Sequence, residues 1–268
     1  MTAATPDEPD DGRARRARSQ RTAPTSGRIV VISAAVGAGP DRAADELGRR
    51  LLARGWWVDR PDGLRILPGR IGPALRGLRG SGTHGTPRAW SGLLPSGTHG
   101  VAAIVTGAAL DRLTARTEAL IGDPPHAVVS THPLVSQLLG RLRRSGTLRA
   151  PAISYLTDPA VHPLWWHAGV DLVLAPHPSV TEQALRLARS SPGRTQIIET
   201  APALPLAQHV ANAEGVASER AEPARRDEAV EHGAAPRPDP AEVIHDAALA
   251  HVGEHSRPGD DDRSIATG

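Results

Sequence analysis

A short apolar run, a loop of small residues and a helical segment follow one another between residues 28 and 54. The run Arg28–Ile32 is rich in β-branched residues, which is typical of a strand buried in a parallel sheet. The loop contains Gly37 and Gly39, and their missing Cβ atoms allow a ligand to approach the backbone closely. We expect Asp41 to cap the helix that follows. Such a unit directs backbone N–H groups and the positive end of a helix dipole towards a phosphate, a carboxylate or a sugar hydroxyl.

Further apolar runs alternate with helical patterns as far as residue 206. The strands predicted after the first are 56–59, 126–131, 151–157, 170–175 and 194–199. The helices predicted among them are 110–121, 133–144 and 179–188. Strands that alternate with helices form right-handed crossovers and a parallel sheet. The sequence therefore predicts an α/β, Rossmann-like domain over residues 28–206, with helices on both faces of the sheet.

The two ends of the chain have a composition that is typical of disorder. Residues 1–27 are polar and combine an acidic patch with the arginine-rich sequence RARRAR. From residue 207 onward Ala, Pro, Glu and Arg dominate, and acidic residues outnumber arginines. We expect a disordered arm over 1–27 and a disordered acidic tail over 207–268, with one weak helix at 241–255.

Composition excludes several classes of function. The chain has no cysteine, which rules out disulfides, thiolate catalysis and metal sites with cysteine ligands. Its apolar runs are far shorter than the roughly 18 residues that indicate a membrane span, and a secretory signal is not evident. His251 and His255 have the spacing of a metal-binding pair, but a third ligand is not evident, so we predict no metal site. The expected localisation is cytoplasmic.

Residues 64–100 contain five arginines and no acidic residue. Apolar side chains alternate irregularly with these arginines, a pattern that suits an amphipathic segment on an anionic membrane surface. A solvated loop in an arginine-rich protein explains the same composition, and both interpretations stay open.

Polar residues collect at the ends of the predicted strands, where ligands bind on sheets of this kind. Those that follow the first, third, fourth and fifth strands are Ser33; Ser130, Thr131 and His132; Thr157 and Asp158; and His177. A carboxylate with imidazoles and hydroxyls suits general base catalysis on an alcohol, or binding of a polyol. We predict that Asp158 and His162 are the catalytic pair, and that Ser130 and His177 have structural roles.

Two stretches resemble one family of enzymes. They are VISAAVGAGPDRAADELGRRLLARGWWVD and residues 123–178. Their order of motifs is similar to that of the monogalactosyldiacylglycerol synthase and diacylglycerol glucosyltransferase family, which are MurG-like glycosyltransferases of the two-domain GT-B type. The matching residues are Ser130, Thr131, Pro133, Thr157, Asp158, His162, Trp165, Gly169, Val170 and Asp171.

The resemblance implies that this chain is the N-terminal, acceptor-binding half of a GT-B fold. A hexose would then move from a UDP-sugar to a diacylglycerol-like lipid at an anionic membrane surface, with no cofactor and no nucleic acid partner. The protein would be peripherally membrane-associated. The residues implied in acceptor binding are Ser33, Gly37, Gly39, Thr131, His132, Thr157 and Trp165.

Two departures from the family pattern leave alternatives open. The family's glycine loop ends in Gly-His, whereas Pro40 stands at that histidine here. Beyond residue 205 the pattern of a donor-binding domain is missing, so we expect either a truncated enzyme or one that works with a separate donor-binding chain. A non-catalytic protein that binds the membrane or the acceptor fits both departures. An NAD(P)-dependent oxidoreductase is a third hypothesis, since Asp59 lies where a ribose-binding acid would be.

Overall fold

The computed structural model describes residues 27–34, 38–69, 107–190, 193–204 and 236–255. They form a parallel six-stranded sheet with the strand order β2-β1-β3-β4-β5-β6. The strands are β1 (Arg28–Ile32), β2 (Trp57–Asp59), β3 (Ala127–Ser130), β4 (Ala152–Tyr155), β5 (Leu172–Ala175) and β6 (Gln196–Glu199). The helices are α1 (Ala38–Ala53), α2 (Gly107–Ile121), α3 (Pro133–Arg144), α4 (Pro178–Ser190) and α5 (Pro240–His255), with short 3-10 turns at Gly63–Ile66 and Pro163–Trp165.

Alternate residues of each strand face opposite layers of helix. On β1, Ile29 and Val31 pack with α1 and α5, whereas Val30 and Ile32 pack with α2 and α3. All four of these side chains are fully buried, which explains why the strand is apolar throughout instead of alternating. The Rossmann-like α/β class with helices on both faces of the sheet is therefore confirmed.

The start of α1 differs from the expectation in one detail. The helix begins at Ala38, so Asp41 lies inside its first turn and is not the N-cap residue. Pro40 lies in the same turn, where backbone N–H groups have no partner within the helix, so its missing donor does not break the helix.

Helix α5 is part of the folded domain, and the prediction of a disordered tail from residue 207 is wrong for this stretch. Ala241, Ile244 and Ala248 are fully buried against the same core as α1. They are spaced as one helical stripe, but two of the three are alanines, and so the apolar signal in the sequence is weak. The expected helix at 241–255 is confirmed.

Polar contacts attach the N-terminal half of α5 to the domain. Asp239, just before α5, forms ion pairs with Arg50 at 3.2 Å and with Arg54 at 2.8 Å. The indole Nε1–H of Trp56 donates to Nδ1 of His245 at 2.8 Å. The helix is therefore held by charge and by hydrogen bonding as well as by apolar packing.

Part of the arginine-rich segment 64–100 belongs to the core. Leu64 and Ile66 are buried, and Ile66 packs with α2 and α3, so these two side chains do not face a membrane. Residues 70–100, the predicted arm at 1–27 except residue 27, and most of the predicted tail lie outside the described residues. None of the helices in the described part of the chain combines the length and the apolarity that a membrane crossing needs.

Candidate active site

The carboxyl ends of β1, β3 and β4 lie side by side because these strands are neighbours in a parallel sheet. The backbone N–H of Thr131 donates to the carbonyl of Ile32 at 3.1 Å, which extends the pairing of β3 with β1. Oγ1 of Thr157 lies 3.5 Å from the carbonyl oxygen of Thr131. The predicted residues Ser33, Thr131 and Thr157 are thus brought to one edge of the sheet.

A carboxylate joins this edge from helix α1. The Ser33 hydroxyl donates to Oδ1 of Asp41 at 2.7 Å. The charge of Asp41 also acts on the imidazole of His132, which follows β3. Asp41 was predicted only as a helix cap, and its place beside Ser33 and His132 was missed. The signal in the sequence for this place was an aspartate in the first turn of a helix that follows a glycine loop.

His132 is held as a neutral imidazole. It is 5 % exposed, and burial lowers its pKa to about 4, against a smaller opposing effect of the Asp41 carboxylate. Thr131, the residue before it, is fully buried, and its Oγ1 has no hydrogen-bond partner among the described residues. Both side chains are buried, and a ligand could contact them only if it displaced the groups that cover them.

Three buried serines fix the backbone that carries His132. Oγ of Ser154 donates to Oγ of Ser136 at 2.8 Å, and Oγ of Ser136 donates to Oγ of Ser130 at 3.2 Å. The Ser130 hydroxyl also donates to the carbonyl of His132 at 2.8 Å. The structural role predicted for Ser130 therefore agrees with these contacts.

Asp158, at the end of β4, is half-buried and held by a tryptophan. The indole Nε1–H of Trp165 donates to its Oδ2 at 2.8 Å. Burial raises the pKa of Asp158, and the bonds from Trp165 and Thr157 and the charge of His162 only partly oppose this effect. A carboxylate with a raised pKa is a stronger base than an ordinary aspartate.

Two neighbours of Asp158, His162 and Trp165, differ in their exposure to solvent. His162 is exposed, and its Nδ1 accepts a hydrogen bond from the backbone N–H of Leu164 at 3.2 Å. Trp165 is 1 % exposed and packs among Leu156, Val170 and Val173. Its ring is therefore covered, and its geometry favours positioning of Asp158 over the predicted contact with an acceptor.

The glycine loop is only partly described. Gly39 lies in the first turn of α1, and Gly37 lies outside the described residues. Within the described residues, no group of three His, Asp or Glu side chains is arranged to hold a metal ion.

The acid required by the dinucleotide hypothesis has other partners. Both carboxylate oxygens of Asp59 are engaged, one by the Arg28 guanidinium at 2.6 Å and one by the indole of Trp57 at 2.9 Å. The bond from Arg28 is the main reason that the pKa of Asp59 is held below its usual range. A ribose would have to displace both partners, which disfavours an NAD(P)-binding role.

Comparisons with known proteins place this geometry in context. The model of the family described as monogalactosyldiacylglycerol (MGDG) synthase matches residues 108–191, the stretch that carries β3, β4 and Asp158. No curated protein matches the chain.

Several solved structures are similar at low identity. MurG of Acinetobacter baumannii is 13 % identical over 67 % of this chain, with a TM-score of 0.40. UGT89C1 of Arabidopsis thaliana, complexed with UDP, is 15 % identical, with 69 % of this chain and 55 % of that chain covered and a TM-score of 0.33. A putative hydrolase of the α/β superfamily from Xanthomonas campestris pv. campestris is 18 % identical, covers 72 % of this chain and 96 % of its own, and has a TM-score of 0.34. None of these TM-scores reaches 0.5, so these likenesses decide nothing about function.

The chain spans 46 % of the length of the MurG chain. The family match includes the strand ends whose motifs resemble the MGDG synthase family in the sequence. The predicted resemblance to this family is therefore confirmed. Residues 108–191 resemble the MGDG synthase family of glycosyltransferases.

Proposed function

We propose that this chain is the acceptor-binding domain of a hexosyltransferase that moves a sugar from a UDP-sugar to a diacylglycerol-like lipid. The observation that carries the proposal is the family match over residues 108–191, because that stretch includes the Asp158 cluster. The domain would be the N-terminal half of a GT-B fold and would work with a donor-binding domain on a partner chain. It would bind a membrane surface peripherally from the cytoplasm.

Asp158 is the proposed general base. The acceptor hydroxyl gives its proton to the Asp158 carboxylate while its oxygen attacks the anomeric carbon of the donor. The bond between that carbon and the UDP oxygen breaks, and UDP leaves with the electron pair. The Trp165 indole supports this role because it fixes the direction of one carboxylate oxygen of Asp158.

The edge formed by β1 and β3 is the proposed acceptor subsite. Ser33 has a hydroxyl lone pair available beyond its bond to Asp41, and the Oγ1 of Thr131 has no partner among the described residues. Hydroxyl groups of this kind suit a polyol acceptor, whose own hydroxyls both donate and accept. The family has a histidine at the end of its glycine loop, and this chain has Pro40 at that position. Asp41, the next residue, would supply a charged group beside the acceptor in its place.

The test is a transfer assay with the full chain. Purified protein is incubated with radiolabelled UDP-galactose or UDP-glucose and with liposomes that contain diacylglycerol, alone and with lysate of its source organism. We expect labelled glycolipid only when lysate is present, and we expect a donor-domain chain to co-purify with the transfer activity. Lysate depleted of this chain by an antibody is the control, and undiminished transfer in it would contradict the proposal.

A non-catalytic role is the second candidate, and Pro40 is the observation that favours it. Proline supplies neither a side-chain base nor a backbone donor at a position where the family has histidine. In that case the chain would bind diacylglycerol liposomes, and addition of the Asp158→Asn variant to depleted lysate would restore as much transfer as the wild-type chain does.

A further inference from the structure

A cavity lies between helices α2 and α3 and the segment that precedes β5. Its volume is about 440 Å³, and it is lined by Asp111, Thr114, Arg141, Arg144, Ser145 and His167. Helix α3 begins next to His132 and rises about 1.5 Å per residue, so its last turn lies roughly 15 Å from His132. The cavity is therefore a separate feature of the domain.

The charges that line this cavity do not cancel. Nη2 of Arg141 forms an ion pair with Oδ1 of Asp111 at 2.9 Å, which ties α3 to α2. The Arg144 guanidinium has no ion pair with any described residue, and its side chain is exposed. The lining thus carries one positive charge beyond its internal pair.

His167 adds a neutral donor to the same wall. Its Nδ1 accepts a hydrogen bond from the backbone N–H of Gly169 at 3.0 Å, so the proton of the neutral ring is on Nε2. Burial lowers the pKa of His167, and the nearby charges of Arg144 and Arg141 lower it further. The ring is therefore a hydrogen-bond donor at neutral pH without a charge of its own.

Close packing fixes the position of this ring. A Cβ atom at Gly140 of α3 would lie only 2.1 Å from Nδ1 of His167 and 2.4 Å from its Cγ. The side-chain amide of Gln137, one turn earlier on α3, donates to the carbonyls of Leu164 at 2.9 Å and Trp166 at 2.6 Å in the same segment. The donor geometry is thus set by the protein before any ligand arrives.

The end of α3 would ordinarily repel an anion, because its last carbonyls form the negative end of the helix dipole. Here those carbonyls are occupied. The backbone N–H of Ser145 donates to the carbonyl of Arg141 at 3.0 Å, and that of Gly146 donates to Arg143 at 3.1 Å. The carbonyl of Leu142 accepts from both the backbone of Leu148 and the hydroxyl of Ser145, each at 3.0 Å.

We propose that this cavity binds a phosphate monoester group. The Arg144 guanidinium supplies the unpaired charge, Arg141 and the His167 Nε2–H supply further donors, and guanidinium groups match the oxygens of phosphate in pairs. A volume of about 440 Å³ exceeds the needs of a phosphate alone and leaves room for a glycerol or sugar attached to it. The phosphate monoester comes from a soluble metabolite or from a lipid headgroup, and binding of either uses the same contacts.

The experiment measures binding to the full chain by calorimetry with glycerol 3-phosphate and inorganic phosphate, and by co-sedimentation with vesicles of phosphatidylcholine that contain phosphatidic acid. We expect Arg144→Ala to weaken binding at least tenfold. Arg112→Ala is the matched control, because Arg112 is an exposed arginine of α2 that does not line the cavity, and we expect less than a twofold change. Saturable binding of glycerol 3-phosphate identifies a soluble ligand, and binding to the vesicles alone identifies a lipid headgroup.

Two outcomes would overturn the proposal: equal weakening by both arginine variants, or no binding of any probe at millimolar concentration. A second variant tests the site without removal of a charge. Gly140→Ala must displace His167, and we expect it to weaken binding while the thermal midpoint of unfolding shows that the fold is retained. In proton NMR the ring resonances of His167 should titrate at higher pH when phosphate is bound, because the anion stabilises the charged imidazole against the effects of Arg141 and Arg144. An unchanged titration in saturating ligand would place the phosphate elsewhere.

Discussion

The indole Nε1–H of Trp165 donates to Oδ2 of Asp158 at 2.8 Å, and this bond links a buried aromatic ring to a carboxylate at the end of β4. Trp165 is 1 % exposed and packs in the core, so it does not need to move when a ligand binds. The carboxylate thereby receives a fixed orientation from residues that belong to the hydrophobic interior.

The first prediction concerns the base itself. With transfer activity reconstituted in depleted lysate, we expect Asp158→Asn to lower kcat/KM by about 10²- to 10⁴-fold, the range for loss of a general base. The amide keeps the shape of the side chain and can still accept the Trp165 bond. Asp123→Asn, at an exposed position before β3, is the control and should leave the rate unchanged. Full activity of Asp158→Asn would remove Asp158 from the mechanism.

The second prediction concerns the pH dependence of the same activity. Trp165→Phe removes a hydrogen bond that favours the charged form of Asp158, and so the pKa of this carboxyl should rise further above its usual value. A base must be deprotonated to act, so the acidic limb of the pH profile of kcat/KM should move to higher pH. The measurement is a pair of pH-rate profiles. An acidic limb that stays in place would show that this bond does not act on the catalytic group.

The third prediction concerns stability and His132. Its pKa is lowered to about 4 in the folded protein and is near 6.5 when the chain is unfolded. Between these pH values the unfolded state therefore binds more protons than the folded state. The contribution of neutral His132 to the free energy of unfolding is complete above pH 6.5 and is lost as the pH falls towards 4. The loss amounts to roughly 3 kcal/mol.

Urea unfolding at several pH values between 4 and 7 measures this effect. In the His132→Gln variant, which has no titrating imidazole, the slope of stability with pH should be shallower in this window. In Asp41→Asn the charge that raises the pKa of His132 is absent, so the slope should extend to lower pH. Equal slopes in the wild type and His132→Gln would mean that the imidazole is accessible to water.

The fourth prediction concerns helix α5. Ile244 is fully buried against the sheet, and we expect Ile244→Ala to lower the free energy of unfolding by about 2–4 kcal/mol. Leu249 lies on the same helix but is 43 % exposed, so Leu249→Ala is the matched control and should cost less than about 1 kcal/mol. Chemical denaturation checks both variants. Similar small losses for the two would indicate that α5 is not part of the cooperative fold.

Most of the sheet follows from the sequence because its strands are buried on both faces. Arg28–Ile32 and α3 (Pro133–Arg144) have the predicted bounds, and the other strands lie within the ranges predicted for them. Continuous apolar runs bounded by Gly, Pro and polar residues leave few other arrangements. Helix α5 carried a weaker signal, since close packing of alanines contributes to burial without much hydrophobicity.

The candidate site was predicted less completely. The strand order alone brings Ser33, Thr131 and Thr157 together, and this could be foreseen from the parallel topology. The position of Asp41 depends on where α1 begins: the helix begins at Ala38, whereas a cap at Asp41 predicts a helix that begins at residue 42. The burial of the Trp165 side chain depends on how the loop after Asp158 packs against the core. The conformation of this loop does not follow from a periodic pattern in the sequence.

The contact between β6 and the start of α5 has a consequence for the chain that joins them. The backbone N–H of Ala201 donates to the carbonyl of Pro238 at 2.9 Å, and Arg237 forms an ion pair with Glu199 at 2.6 Å. The described residues on the two sides of positions 205–235 are therefore held close together. Since the entropy of closing a loop grows only with the logarithm of its length, this junction can accept insertions of very different size. A whole additional domain placed there would leave the strand order, the core and the sheet edge that carries Asp158 unchanged.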